Sequence, residues 1–196
     1  FFYQEGERVG LSASHRPFDA EGGPPPKGHR GYAGDDPGDV TAHVLDSREL
    51  VREDLQRISD RSNERVQPLV VPTIPSFRMT RRLKGEVELQ VGHEGKEFPD
   101  SIGMTGDWRK AGPVYHIPLR AIVATRTENL AAAGRCISSE SAWDVTRAIP
   151  TCAVTGQAAG VAAALAARRE EPSIADLEVE KLLEVLREQK VILPSR

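Results

Sequence analysis

The stretch LAAAGRCISSESAWDVTRAIPTCAVTGQAAG, residues 130–160, gathers most of the side chains in this sequence that can do chemistry. Gly134 allows close approach because nothing projects from its α-carbon. Arg135 follows with a planar fork of donors that suits hydroxyl, carbonyl or phosphate oxygens. A loop then leads to Pro150 and Thr151, where proline fits a first helical turn because it has no amide to leave unbonded. The free amides from Thr151 to Ala153 carry about half a positive charge at such a tip, which favours a bound anion. Cys152 reads in two ways, as a thiol made reactive by the helix end or as a small buried residue. His116, beside Tyr115 and Pro118, reads as a proton relay or as a structural histidine. His15, His29, His43 and His93 lack metal-ligand spacing, and no GxSxG nucleophile elbow occurs.

These groups need elements to hold them. Residues 1–39 are dense in Gly and Pro and read as a loop, arm or linker. From Thr41 the pattern turns helical, with Val44, Leu45, Val51, Leu55 and Ile58 at mixed three- and four-residue spacing and Asp39 or Thr41 as the cap. After Asn63 the prolines at 68, 72 and 75 exclude a helix and leave an extended segment, followed by a strand near Gly85 to Val91. The strip from Phe98 to Tyr115 is irregular, and VYHIPLRAIV and ENLAAAGR read as short strands, the second running into Gly134. The helix from Pro150 or Thr151 ends near Arg168 and Arg169, with Pro172 stopping it. A last amphipathic helix, near Asp176 to Gln189, places Leu177, Leu182, Leu183 and Leu186 on one face.

Composition narrows the classes of function. The 196 residues carry a formal net charge of -3, which points to neither nucleic acid nor an anionic membrane as an obligate partner. Cys136 and Cys152, without CxxC spacing, argue against a disulfide framework and a structural zinc, and so for a reducing, cytoplasmic setting. The opening FFYQEGERVG shows no signal-peptide pattern and suggests a cut or processed beginning. The uncharged run from Ala148 to Ala167 has the length of a membrane span. Ile149, Val154, Val161 and Leu165 supply only roughly -1 to -2.5 kcal/mol of insertion energy, however, and Pro150, Gln157 and the glycines oppose it. Insertion is therefore not expected. The choice left is a helix buried in protein or one whose small side chains let a ligand reach its backbone.

The strings NLAAAGRCIS, IPTCAVTGQAAGVAAALA and DLEVEKLLEVLREQKVIL resemble the C-terminal part of the FAD-dependent oxidoreductases with a two-dinucleotide-binding fold, distantly akin to fumarate reductase flavoproteins. Upstream, FRMTRRLKGE resembles that family's Arg-rich segment ending in Gly-Glu, and VYHIPLRAIV its Tyr-x-Ile-Pro segment. The resemblance implies that Gly134 and Arg135, with the adjoining Cys136, meet the ribityl chain and flavin. It places Pro150, Thr151 and Cys152 at a helix tip facing the pyrimidine side of the ring, with Gly156, Gln157 and Gly160 lining the helix behind it. A reduced flavin is negative at N1 and O2, so a helix tip aimed there favours electron uptake. By the same likeness Arg147 sits where an anion-binding arginine stands, and Arg78, Arg81 and Arg82 match basic positions near a substrate domain. Ordinary surface ion pairing accounts for that arginine cluster equally well. The sequence departs from the family in lacking a GxGxxG after a strand, the element that holds the FAD pyrophosphate. It departs again in the loop SSESAWD, where Glu140 and Asp144 are the only carboxylates.

The expectation is an α/β chain, a mixed α+β fragment that completes an FAD/NAD(P)-binding Rossmann-like domain whose N-terminal nucleotide-binding half lies outside this sequence. Residues 1–39 are expected as an arm or linker, 40–125 as a substrate- or cap-side segment and 126–196 as the C-terminal part of the FAD-binding domain. The implied catalytic set is Arg147, Arg81 and His116, and no metal is expected. The expected partners are the nucleotide-binding half, a small-molecule substrate and further copies of the chain. The alternative is a non-catalytic interaction subunit that packs through its small-residue helix.

Overall fold

A computed structural model describes residues 1–12, 31–71, 81–170 and 172–194. The chain forms two compact units, Phe1–Thr80 and Arg81–Arg196. The divisions read from composition, at 39 and 125, fall inside these units.

In the first unit, β1 (Phe2–Glu5) and β2 (Arg8–Leu11) form an antiparallel hairpin, and β3 (Val66–Val70) pairs with the other side of β1. The hairpin corrects the reading of residues 1–39 as loop. Its turn uses Gly6 at φ +56°, a conformation that favours glycine, but strands of four residues are too short to show alternation. Helix α1 (Pro37–Arg61) starts earlier than the sequence suggested. Asp36 is the cap, its carboxylate accepting from the Asp39 amide at 2.7 Å, and Pro37 fills the first turn. Asp54 is buried on α1 and accepts from Ser12 Oγ at 2.5 Å and from Arg57 Nη1 at 2.6 Å.

The second unit holds β4 (Ser101–Gly106) and β5 (Val114–Pro118) as an antiparallel pair, then α2 (Trp143–Thr146), α3 (Ile149–Ala166) and α4 (Val179–Glu188). All named strand pairs among the described residues are antiparallel, so the chain is mixed α and β with small sheets. Two corrections concern extended segments. The strand expected near Gly85–Val91 is an irregular run held by single bonds, Leu83 N to Cys136 O at 2.8 Å and Leu89 N to Ser138 O at 2.9 Å, with one parallel bridge, Leu89 to Ser139. The strand expected to run into Gly134 is a single bridge from Ala131 to Val123, after which Gly134–Cys136 makes a 3-10 turn. The strip expected to be irregular contains β4, whose sequence SIGMTG lacks the β-branched alternation that marks a strand.

Helix α3 begins where proline placed it, at Ile149 with Pro150 in the first turn. By length and composition alone it is apolar enough to cross a membrane. One face, Thr151, Thr155, Ala158, Ala162 and Ala166, is buried. Those positions recur every three to four residues and join a core with Ile102, Tyr115, Ile117, Leu182 and Leu186. Close approach of α3 to β4 rests on Gly103, where a Cβ would stand 2.3 Å from Val154 Cγ1.

Candidate functional site

The chemistry-bearing residues converge at the first turns of α3. Thr151 is fully buried there, donating from Oγ1 to the Val145 carbonyl at 3.1 Å and sharing a 2.6 Å hydrogen bond with Thr105 Oγ1 of β4. One turn later, Thr155 Oγ1 accepts the Gly134 amide at 2.9 Å and donates back to the Thr151 carbonyl at 2.9 Å. Gly134 has φ +74°, and a Cβ on it would lie 3.3 Å from Cys152 Sγ. Glycine is therefore favoured by the left-handed backbone, and a side chain there would also press on the Cys152 thiol by a few tenths of an ångström. The Cys152 thiol in turn points to the Arg147 carbonyl at 3.5 Å.

Around this contact lies a cluster of charged and aromatic groups. The Trp143 indole donates to the Arg135 carbonyl at 3.1 Å, which ties α2 to the Gly134 turn. The Arg147 guanidinium lies 4.8 Å above the Trp143 ring and donates to Asp144 Oδ1 at 3.0 Å. Arg109 binds the other Asp144 oxygen at 3.0 Å and grips Asp107 through Nε at 2.9 Å and Nη2 at 3.0 Å. The guanidinium of Arg109, then its amide, holds the Asp107 carboxyl down to about 2. Trp108 is 65% exposed, with its indole donating to the Asp144 carbonyl. Arg135 is exposed and has no ion pair among the described residues.

The structure thus brings Gly134, Arg135, Cys136, Arg147, Pro150, Thr151 and Cys152 to one corner. The bond from Leu83 N to Cys136 O sets the 81–83 run beside the same turn. In that run Arg82 is ion-paired to Glu88 at 2.7 Å, the ordinary surface role, and Arg81 is exposed. Arg78 lies outside the described residues. His116 is not brought in. In the β4–β5 register Thr105 faces Tyr115 and Met104 faces His116; since Thr105 points at α3, alternation turns His116 to the opposite face. There it is buried, and its Nδ1 has no partner among the described residues. Sequence reasoning missed Thr105, Asp107, Trp108, Arg109 and Thr155. The DWR triplet was the available signal, but it stands in a strip with no readable period.

Whether these residues suit a flat, electron-accepting group is testable on the outward side of α3. Cys152, Gly156 and Gly160 repeat every four residues and so share one stripe. A Cβ built on Gly156 or Gly160 meets nothing within 4 Å. The stripe starts at the Gly134 contact, and Ile149 at the tip is 86% exposed. The tip is therefore not plugged by bulky side chains, and it opens at the surface of this chain. Gln157, on the same side, donates to Gln189 Oε1 at 2.8 Å. The small residues leave room for a planar ring beside the helix, but the amides expected to be free from Thr151 to Ala153 are not. Thr151 is fully buried, the Cys152 amide is bonded to the Ala148 carbonyl at 2.9 Å, Ala153 lies inside the helix, and the Gly134 amide is taken by Thr155.

Residues 7–186 match the family model described as FAD dependent oxidoreductase. Searches of curated proteins and of solved structures found no match.

Proposed function

The chain belongs to the FAD-dependent oxidoreductase family, whose cofactor is FAD, and we propose that it is the flavin-closing, C-terminal part or subunit of such an enzyme. In this reading it completes a Rossmann-like FAD/NAD(P)-binding domain, and the segment that grips the FAD pyrophosphate comes from elsewhere in the protein or from a second subunit. When bound, the flavin supplies hydride acceptance from a substrate carbon. The N-terminal end of the α3 dipole favours the electron-rich edge of the ring, acting through its field and the exposed Ile149 end, since Pro150 has no amide, Thr151 is fully buried and the Cys152 amide is bonded to the Ala148 carbonyl at 2.9 Å. The Gly134 turn brings Arg135 and Cys136 alongside, and the stripe of Gly156 and Gly160 lets the group lie close. Arg147, stacked on Trp143 and oriented by Asp144, holds an anionic group of a small-molecule substrate, with Arg81 at the rim. His116 takes no part.

What supports this reading best is the close approach of Gly134 to Cys152, which sets a positive-φ glycine turn against the first turn of α3. A cytoplasmic setting, self-association, and the absence of nucleic acid or membrane among its partners belong to the same proposal. Co-expression with the nucleotide-binding half is expected to give a yellow complex with a flavin absorption band. A colourless complex that is correctly folded would sink it.

A second reading, a non-catalytic subunit that packs through α3, draws on the exposure of Ala153, Gly156, Gly160, Ala163 and Ala164. In that case Gly156→Leu breaks assembly and leaves any flavin spectrum unchanged. On the preferred reading the same variant changes the spectrum.

A further inference from the structure

A cavity of 340 Å³ lies between the 97–101 segment and α4, lined by Glu97, Phe98, Ser101, Leu183, Arg187 and Leu193 among others. Its place in the fold separates it from the α3 tip. Ser101 opens β4, whereas Thr105, four residues on, is the residue bonded to Thr151, a distance of roughly 13 Å along a strand. Three observations give the cavity a chemical character. Phe98, Leu183 and Leu193 supply apolar walls. The Ser101 side chain is 4% exposed, yet its hydroxyl has no hydrogen-bond partner among the described residues. Buried hydroxyls are nearly always bonded, so this one is short of a partner, which a ligand brings once the Ser101 side chain turns into the cavity it lines. Arg187 and Glu97 are exposed charges of opposite sign, and neither has an ion pair among the described residues.

We infer that this cavity binds a small zwitterion with an apolar body, a free amino acid of the leucine or phenylalanine kind. The carboxylate meets Arg187 and the Ser101 hydroxyl, the ammonium meets Glu97, and the side chain fills the space between Phe98, Leu183 and Leu193. A volume near the lower end of ligand pockets suits a ligand of this size. Opposite charges on the two sides select a zwitterion over a simple acid or amine, because either of those leaves one protein charge facing an apolar group or a like charge. The site is independent of the flavin reading.

The experiment titrates L-leucine and L-phenylalanine into the full chain, by calorimetry and by saturation-transfer NMR, with leucinamide and 4-methylpentanoate as probes lacking one charge each. Saturable binding of at least one amino acid is expected, weakened roughly tenfold or more by Arg187→Gln and by loss of either ligand charge, and several-fold by Ser101→Ala. Arg187 is exposed on α4, so its variant keeps the fold, and an unchanged circular-dichroism melt checks this. Absence of saturable binding at millimolar concentration overturns the inference. So does 4-methylpentanoate or leucinamide binding as tightly as leucine, or an affinity that Arg187→Gln leaves within about twofold.

Discussion

Replacing Gly103 by alanine tests how α3 is seated on β4. The new Cβ stands 2.3 Å from Val154 Cγ1 and 3.7 Å from Val154 Cβ, so the first contact is far inside van der Waals range and the second is ordinary. Valine is stiff at χ1 on a helix, so the methyl cannot simply swing away. The strain is expected to cost about 1–3 kcal/mol, the range for overpacking a core. Val154→Ala alone removes half-buried methyl groups and costs about 1 kcal/mol. In the double variant the clash is gone and the new methyl occupies part of the vacated space. The two changes should therefore fall short of additivity by about 1–2 kcal/mol. Trp108 and Trp143 are the two tryptophans of the chain, and both lie in the second unit, so urea unfolding followed by their fluorescence reads that unit alone. Additivity within about 0.5 kcal/mol would refute the close seating of the helix on Gly103.

Other outcomes follow from single contacts. Thr155→Val leaves the buried Gly134 amide without its acceptor and is expected to cost about 1–3 kcal/mol in the same fluorescence assay, while Thr155→Ser keeps most of the stability. Asp107 is depressed to about 2 by Arg109. Its contribution is therefore present above the ordinary carboxylate value and is lost as pH falls toward 2, and a carbon-detected NMR titration should show this, with Arg109→Gln raising the midpoint part of the way, because the backbone amide of residue 109 still donates to Asp107. His43 is lowered chiefly by burial, against an opposing pull from Asp46. The fold thus favours its neutral form, and the first unit should lose stability as pH drops below the ordinary histidine value of about 6.5. A flat pH dependence from 7 to 5, read by far-ultraviolet circular dichroism, would contradict that sign.

Helices α3 and α4 were legible because their signals are local, whereas the short α2 falls in the run read as a loop. Proline at a first turn fixed the start of α3, and leucines on one face placed α4, whose Leu182, Leu183 and Leu186 are buried. The small-residue pattern around Gly134 marked the turn that packs on α3, since its positive φ favours glycine. The remaining features depend on partners distant in sequence. Gly85 is needed because a Cβ there would lie 2.5 Å from the Arg120 carbonyl, a contact that no neighbouring residue announces. Trp108 and Arg109 reach Asp144 across 35 or more positions, so the DWR triplet could not reveal its role. His116 looked chemical by type, and only the strand register turned it away from α3.

The two aspartates and two arginines that interlock at the edge of the site cancel one another in sum. Arg109 and Arg147 both lean on Asp144, and Asp107 answers the remaining charge. An incoming anion therefore feels little pull from them at a distance and gains only short, directional donors once it arrives. Among the described residues the uncompensated charge of that corner belongs to Arg135; losing Arg147 leaves the cluster one charge negative, so the ionic-strength dependence of any anion capture there should register either loss.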